Sequence, residues 1–82
     1  MNDNSRSTST GILINLVTRR STGDRVFIAD RPDEPKDKRF VELGRIVEGH
    51  FQPVNNADYV MSTETLRIIA SLIDEETSGG TP

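Results

Sequence analysis

The sequence predicts a small α+β domain in which a mostly antiparallel sheet is covered on one face by a C-terminal helix. Three observations lead to this fold class. Two short runs rich in Ile, Leu and Val, "GILINLVT" and "RVFIAD", are joined by a Gly-containing turn. A third apolar run follows a proline-containing loop, and near its end the chain carries apolar residues at helical spacing. The sheet is therefore expected to hold an N-terminal hairpin and one or two further strands.

The two N-terminal runs are typical of strands on either side of a hairpin turn. In the first run, Ile14 and Leu16 fall on one face and Leu13 and Val17 on the other, since side chains alternate along a strand. Both faces are mostly apolar, which is typical of a strand that is covered on both sides or lies at an interface. The connecting "RRSTGD" is rich in turn residues, which favours a hairpin.

The segment after the hairpin is harder to assign. Residues 31–38 hold two prolines and six charged side chains, which predicts a solvated loop. Residues 39–48 are compatible with a strand or a helix. Val, Ile and Phe favour the strand, and Gly44 in mid-segment costs a helix about 1 kcal/mol relative to alanine. We favour the strand, with Gly44 or Gly49 at a bulge and Pro53 at an edge or at the strand's end.

The C-terminal helix is the clearest element in the sequence. A turn at 55–58 and a short strand at 59–62 are expected to precede it, and Ser62 or Thr63 can cap its first amides. An apolar stripe recurs at helical spacing and consists of Leu66, Ile69, Ala70 and Ile73. Beside it, Ile68 and Leu72 widen the apolar surface beyond what one sheet face normally needs.

Length and composition indicate one domain with polar ends. The chain has 82 residues, and its ends are rich in Ser, Thr, Asn and Gly. We therefore expect flexible tails at 1–10 and 77–82 around a single domain at 11–76. The chain has no cysteine, which excludes disulfides and thiolate chemistry and favours a cytoplasmic location. No apolar run approaches the length of a membrane span.

Charge is distributed unevenly along the chain. Residues 1–45 carry a net charge of +2 and residues 46–82 a net charge of −5, so the folded domain is expected to be electrically two-sided. Asp74, Glu75 and Glu76 lie at the negative end of the helix dipole, where acids are unfavourable. A local rule broken in this way can mark contact with a basic group.

Three arginines surround the predicted hairpin turn, namely Arg19, Arg20 and Arg25. Guanidinium groups can bind phosphates or carboxylates through several donors in one plane. The competing interpretation is a solvated hairpin tip, because the chain is acidic overall, with a pI near 5.0, and has few aromatic residues for stacking on bases.

No motif in the sequence predicts a catalytic, metal or cofactor site. His50 is the only histidine, and neither a nucleophile nor a set of metal ligands accompanies it at a recognised spacing. The acids of the hairpin and the charged loop lack the spacing of a calcium-binding loop. They are Asp24, Asp30, Asp33, Glu34 and Asp37.

By elimination, the sequence favours a non-enzymatic regulatory or inhibitory protein that binds a larger protein partner. The predicted contact residues are Arg19, Arg20, Arg25, Ile68, Leu72, Asp74, Glu75 and Glu76. The alternative is a nucleic-acid-associated module that uses the three hairpin arginines. Surplus apolar surface on the first strand and on the helix also favours a homodimer.

Overall fold

A computed structural model of the chain describes residues 5–54 and 59–78. The elements in chain order are β1 (Ser5–Ser7), β2 (Leu13–Thr18), β3 (Arg25–Asp30), α1 (Lys36–Arg39), β4 (Phe40–Val47), β5 (His50–Pro53) and α2 (Thr63–Ser78). All five strands form one antiparallel sheet in the order β1-β2-β3-β4-β5, and α2 packs against it. The predicted α+β class is confirmed, with one strand more than the largest number predicted.

The core lies between α2 and one face of the sheet. In the register of β2 and β3, Ile14 pairs with Ala29 and Leu16 pairs with Phe27, so these four side chains share a face. The Phe27 ring also meets the Phe51 ring edge-on, with 5.6 Å between the centroids. The buried cluster consists of Ile14, Leu16, Phe27, Ala29, Val41, Leu43, Ile69 and Leu72.

The segment at 39–48, which the sequence left open between strand and helix, forms strand β4 from Phe40 to Val47. Leu43 has no partner in the register with β3, and Leu43 and Gly44 are both buried, as expected at the predicted bulge. A close approach of β5 explains the glycine. A Cβ atom on Gly44 would lie 2.5 Å from the carbonyl oxygen of Gln52 and 2.5 Å from a ring carbon of Phe51.

A two-residue turn, Glu48-Gly49, joins β4 to β5. Both residues have positive φ, 51° and 81°, as a type I′ turn requires. This turn follows the right-handed twist of the flanking strands, so it forms a tight hairpin. Gly49 is therefore a turn residue and not a bulge. Glu48 has a side chain in the left-handed region, which costs about 1 kcal/mol.

The N-terminal segment differs from the predicted tail at 1–10. Ser5–Ser7 form β1, which pairs with β2, and Thr8 is only 7% exposed. Ser9 donates two hydrogen bonds to the Glu64 carboxylate, from its backbone nitrogen at 2.8 Å and from its Oγ at 2.9 Å. These polar residues join the sheet because backbone and hydroxyl hydrogen bonds hold them there without apolar side chains.

The remaining connections differ from the predictions in detail. The short helix α1 occupies the end of the charged loop. Residues 59–62 do not form the predicted strand, and instead Tyr59 and Met61 pack against the core. Helix α2 continues to Ser78, two residues into the predicted C-terminal tail. The predicted turn at 55–58 and the outer parts of both tails lie outside the described residues.

Helix α2 begins after Ser62, which caps it as predicted, since its Oγ accepts a hydrogen bond from the Thr65 amide at 3.1 Å. The buried face is rotated relative to the predicted stripe. Ile69 and Leu72 are 2% and 1% exposed, whereas Leu66 is 47% exposed. Leu72 is therefore a core residue, and its assignment to a partner-binding surface was wrong because its side chain points into the core.

A small polar network accompanies this rotation at the start of α2. Thr65 is 1% exposed, and its hydroxyl is hydrogen-bonded to the hydroxyls of Tyr59 and Ser62, each at 3.1 Å. A buried hydroxyl without partners would cost about 1–3 kcal/mol. Because these bonds avoid that cost, α2 can bury the line that contains Thr65, Ile69 and Leu72.

Candidate interaction surface

The sheet has a second face that α2 does not cover. Alternation places Leu13 and Val17 of β2 on this face, together with Ile28 of β3. Phe40, at the start of β4, lies on the same face because it pairs with Asp30, which itself pairs with Leu13. We give the name open face to four apolar side chains of this surface: Leu13, Val17, Ile28 and Phe40. Val26 and Val47 lie on the same side of the sheet, but Val26 is only 2% exposed.

The open face is apolar and accessible to solvent. Phe40 is 60% exposed and Val17 is 39% exposed, while Leu13 and Ile28 are half-buried. In the register, Ile28 lies diagonally from both Leu13 and Phe40, a spacing at which side chains on adjacent strands interact. Val17 is also diagonal to Ile28, whereas Asn15, Asp30 and Glu42 occupy the directly paired positions on the same face.

Three ion pairs border the open face. They are Arg39–Asp30 at 2.6 Å, Arg19–Glu42 at 2.6 Å and Arg45–Asp24 at 3.2 Å. The hydrogen bond to Asp30 and then its negative charge raise the pKa of Arg39. Exposed pairs of this kind add little to stability, because water and salt screen the charges. Their main consequence is that charges of both signs lie among and beside the apolar side chains of the open face.

The structure separates the three hairpin arginines. Arg19 binds Glu42 beside the open face, whereas Arg25 lies on the opposite face and donates two hydrogen bonds to Glu76 of α2, at 2.8 and 2.9 Å. Arg20 is exposed in the turn and forms no ion pair within the described part of the chain. A cleft of about 420 Å³ beside the turn is lined by both members of two ion pairs, so its charge is balanced.

The acidic end of α2 has basic partners within the same chain. Glu76 binds Arg25, and Glu75 binds Arg6 of β1, while Asp74 is exposed. The expected contact with a basic group is therefore present, but it is intramolecular. Both pairs join the basic N-terminal part of the sequence to its acidic C-terminal part, which reduces the charge separation inferred from the sequence.

A groove lies on the other side of the sheet, between β5 and the flank of α2. Its volume is about 260 Å³, and its apolar lining includes Phe51, Leu66, Ala70 and Ile73. The sequence pattern assigned the three helix residues to the core and so missed this groove. The rotated face of α2 explains the difference. Ile68, a predicted contact residue, is half-buried and packs against the core.

The remaining candidate groups for site chemistry are His50 and the acidic side chains of the described residues. His50 lies at the start of β5 on the rim of the groove. Within residues 5–54 and 59–78, no group of three or more His, Cys, Asp or Glu side chains could hold a metal ion. Neither helix in that part of the chain has the length and hydropathy to cross a membrane.

Comparisons with known proteins assign no family to this chain. No protein-family model matches it, and no curated protein or solved structure shows significant similarity. The functional argument therefore depends on the surfaces of this chain alone.

Proposed function

We propose that this protein is a small, non-enzymatic regulatory or inhibitory protein that acts by binding a larger protein partner through the open face. One observation carries the proposal: α2 covers one face of the sheet, and the other exposes 60% of Phe40 beside Leu13 and Ile28. An exposed aromatic side chain among apolar neighbours is typical of the centre of a protein interface.

The border of the open face supports a protein as the partner. Interfaces commonly combine an apolar centre with a polar rim, and the rim charges set orientation and specificity more than affinity. Here the rim contains three arginine–carboxylate pairs. A partner surface with an apolar pocket for Phe40 and charges of both signs around it would match this arrangement. The absence of cysteine supports a cytoplasmic setting for the interaction.

Nucleic-acid binding through Arg19, Arg20 and Arg25 has less support. A phosphate backbone is bound by cations that act together on one surface. Arg19 and Arg25 lie on opposite faces of the sheet, and each already meets a carboxylate. We therefore favour protein binding over the nucleic-acid alternative.

The test is affinity purification from source-cell lysate with quantitative mass spectrometry, using wild type, Phe40→Asp and Ser71→Asp. Ser71 is exposed on α2, so Ser71→Asp adds the same charge away from the open face. We expect one protein to be enriched by wild type and by Ser71→Asp, and lost with Phe40→Asp. Equal recovery by all three proteins, with unchanged circular dichroism, would contradict a role for the open face.

A further inference from the structure

We propose that the groove between β5 and α2 is a second binding surface, which takes an extended peptide segment by strand addition to β5. The inference goes beyond the proposed function because it concerns the opposite side of the sheet and a different form of ligand. A folded surface would dock on the open face. A strand edge that pairs with no other strand of the described residues, and lies beside an apolar groove, fits an extended chain.

The outer edge of β5 has backbone groups that can pair with another strand. β5 is the last strand in the sheet order, and the Val54 amide donates to the Leu43 carbonyl of β4 at 3.0 Å. Hydrogen-bonded pairs alternate along an antiparallel ladder, so Gln52 and His50 also point their backbone groups towards β4. The N–H and C=O of Phe51 therefore point away from β4, towards an incoming strand.

The groove lies where the side chains of an incoming strand would enter. Side chains on a strand alternate between faces, so every second residue of a segment paired with β5 would point towards α2. There it would meet Leu66, Ala70 and Ile73, of which Leu66 is 47% exposed. The opposite sheet edge, β1, is a three-residue polar strand and offers no comparable apolar wall.

The ends of the groove restrict the ligand further. Asp74 contributes a carboxylate at one end of the groove, next to the apolar lining. Pro53 lies towards the other end of β5 and has no N–H, so it can only accept a hydrogen bond from a partner strand. The expected ligand is a short extended segment with apolar residues at alternate positions.

The probe is a phage-displayed library of random eight-residue linear peptides, selected on the full chain. The variant Ala70→Glu is used for counter-selection, because it places a charged side chain in the groove. The variant is expected to fold, since Ala70 is exposed and glutamate is a good helix former. We expect enriched peptides with alternating apolar residues, binding wild type at least tenfold more tightly than Ala70→Glu. No enrichment, or equal binding to both proteins, would overturn the proposal.

Two readouts establish the mode of binding. The selected peptide should slow hydrogen exchange of the Phe51 amide, and N-methylation of its central amide should abolish binding. Chemical-shift changes confined to Leu13, Ile28 and Phe40 would overturn strand addition. Light scattering without peptide is a further check. A mass of twice 9.1 kDa that falls with Ala70→Glu would assign the edge to a second copy and contradict the proposal.

The same variants separate this proposal from the proposed function. Phe40→Asp should still bind the selected peptide, because the open face lies on the other side of the sheet. Ala70→Glu should still recover the larger partner from lysate. Loss of peptide binding in Phe40→Asp, with its fold intact, would contradict two independent surfaces.

Discussion

Replacement of Gly44 by alanine tests the packing of β5 on β4. The new Cβ would lie 2.5 Å from the Gln52 carbonyl oxygen and 2.5 and 2.7 Å from two ring carbons of Phe51, whereas ordinary contacts begin near 3.4 Å. The backbone of β5 or the Phe51 ring must therefore move by close to 1 Å. Movement of the ring also disturbs its edge-on contact with Phe27.

The size of the effect follows from these contacts. Overpacking of a well-packed site costs about 1–3 kcal/mol, and loss of an aromatic pair costs about 0.5–1.5 kcal/mol more. The lower entropy of the unfolded alanine variant offsets about 0.4–1 kcal/mol. We therefore expect Gly44→Ala to lower the free energy of unfolding by about 2 kcal/mol.

Urea unfolding followed by far-UV circular dichroism measures this change in a chain without tryptophan. In a domain of this size, about 2 kcal/mol should also lower Tm by roughly 8–16 °C. Ser71→Ala, at an exposed position on α2, is the control and should change stability by less than about 0.5 kcal/mol. An unchanged urea midpoint for Gly44→Ala would refute the close approach of β5 and the bulged register that creates it.

Three further changes test other parts of the fold. Ile69→Ala should lower the free energy of unfolding by about 2–4 kcal/mol because Ile69 is buried. Leu66→Ala should lower it by about 1 kcal/mol or less. Equal losses of stability in urea unfolding would contradict the rotated face of α2. Glu48→Asn should stabilise the protein by about 0.5–1 kcal/mol because asparagine accepts positive φ, and a lower Tm would contradict the type I′ turn. Deletion of residues 1–9 should cost at least about 2 kcal/mol, since each lost hydrogen bond is worth about 0.5–1.5 kcal/mol. An unchanged calorimetric transition after that deletion would show that β1 adds nothing to the fold.

The elements that bury apolar side chains could be predicted from the sequence. β2, β3 and α2 carry the periodic patterns that indicate them. The sequence left Gly44 and Gly49 as alternatives for the bulge in β4, and the structure has it beside Gly44. β1 could not be found in this way, because Ser5–Ser7 pair through the backbone and Ser9 is held by Glu64, which lies far away in the sequence. Helical periodicity also left open which of two adjacent apolar lines on α2 faces the core.

The candidate surface was predictable only in part. The apolar second face of β2 was visible in Leu13 and Val17, but Phe40 gained significance only once the register paired it with Asp30. The three hairpin arginines stood out as a group in the sequence, but the carboxylates that pair with Arg19 and Arg25 could not be predicted. Arg25 meets a carboxylate 51 residues away in the sequence, and no local pattern specifies such a contact.

The central claim, that the open face binds a larger protein, is tested most directly by site-specific photo-crosslinking in source cells. A photoreactive phenylalanine analogue is placed at Phe40 in one protein and at Ser71 in a matched control. Our account predicts a covalent adduct with one larger protein at Phe40 and none at Ser71. Adducts that form equally at both positions, or only between copies of this chain, would contradict it.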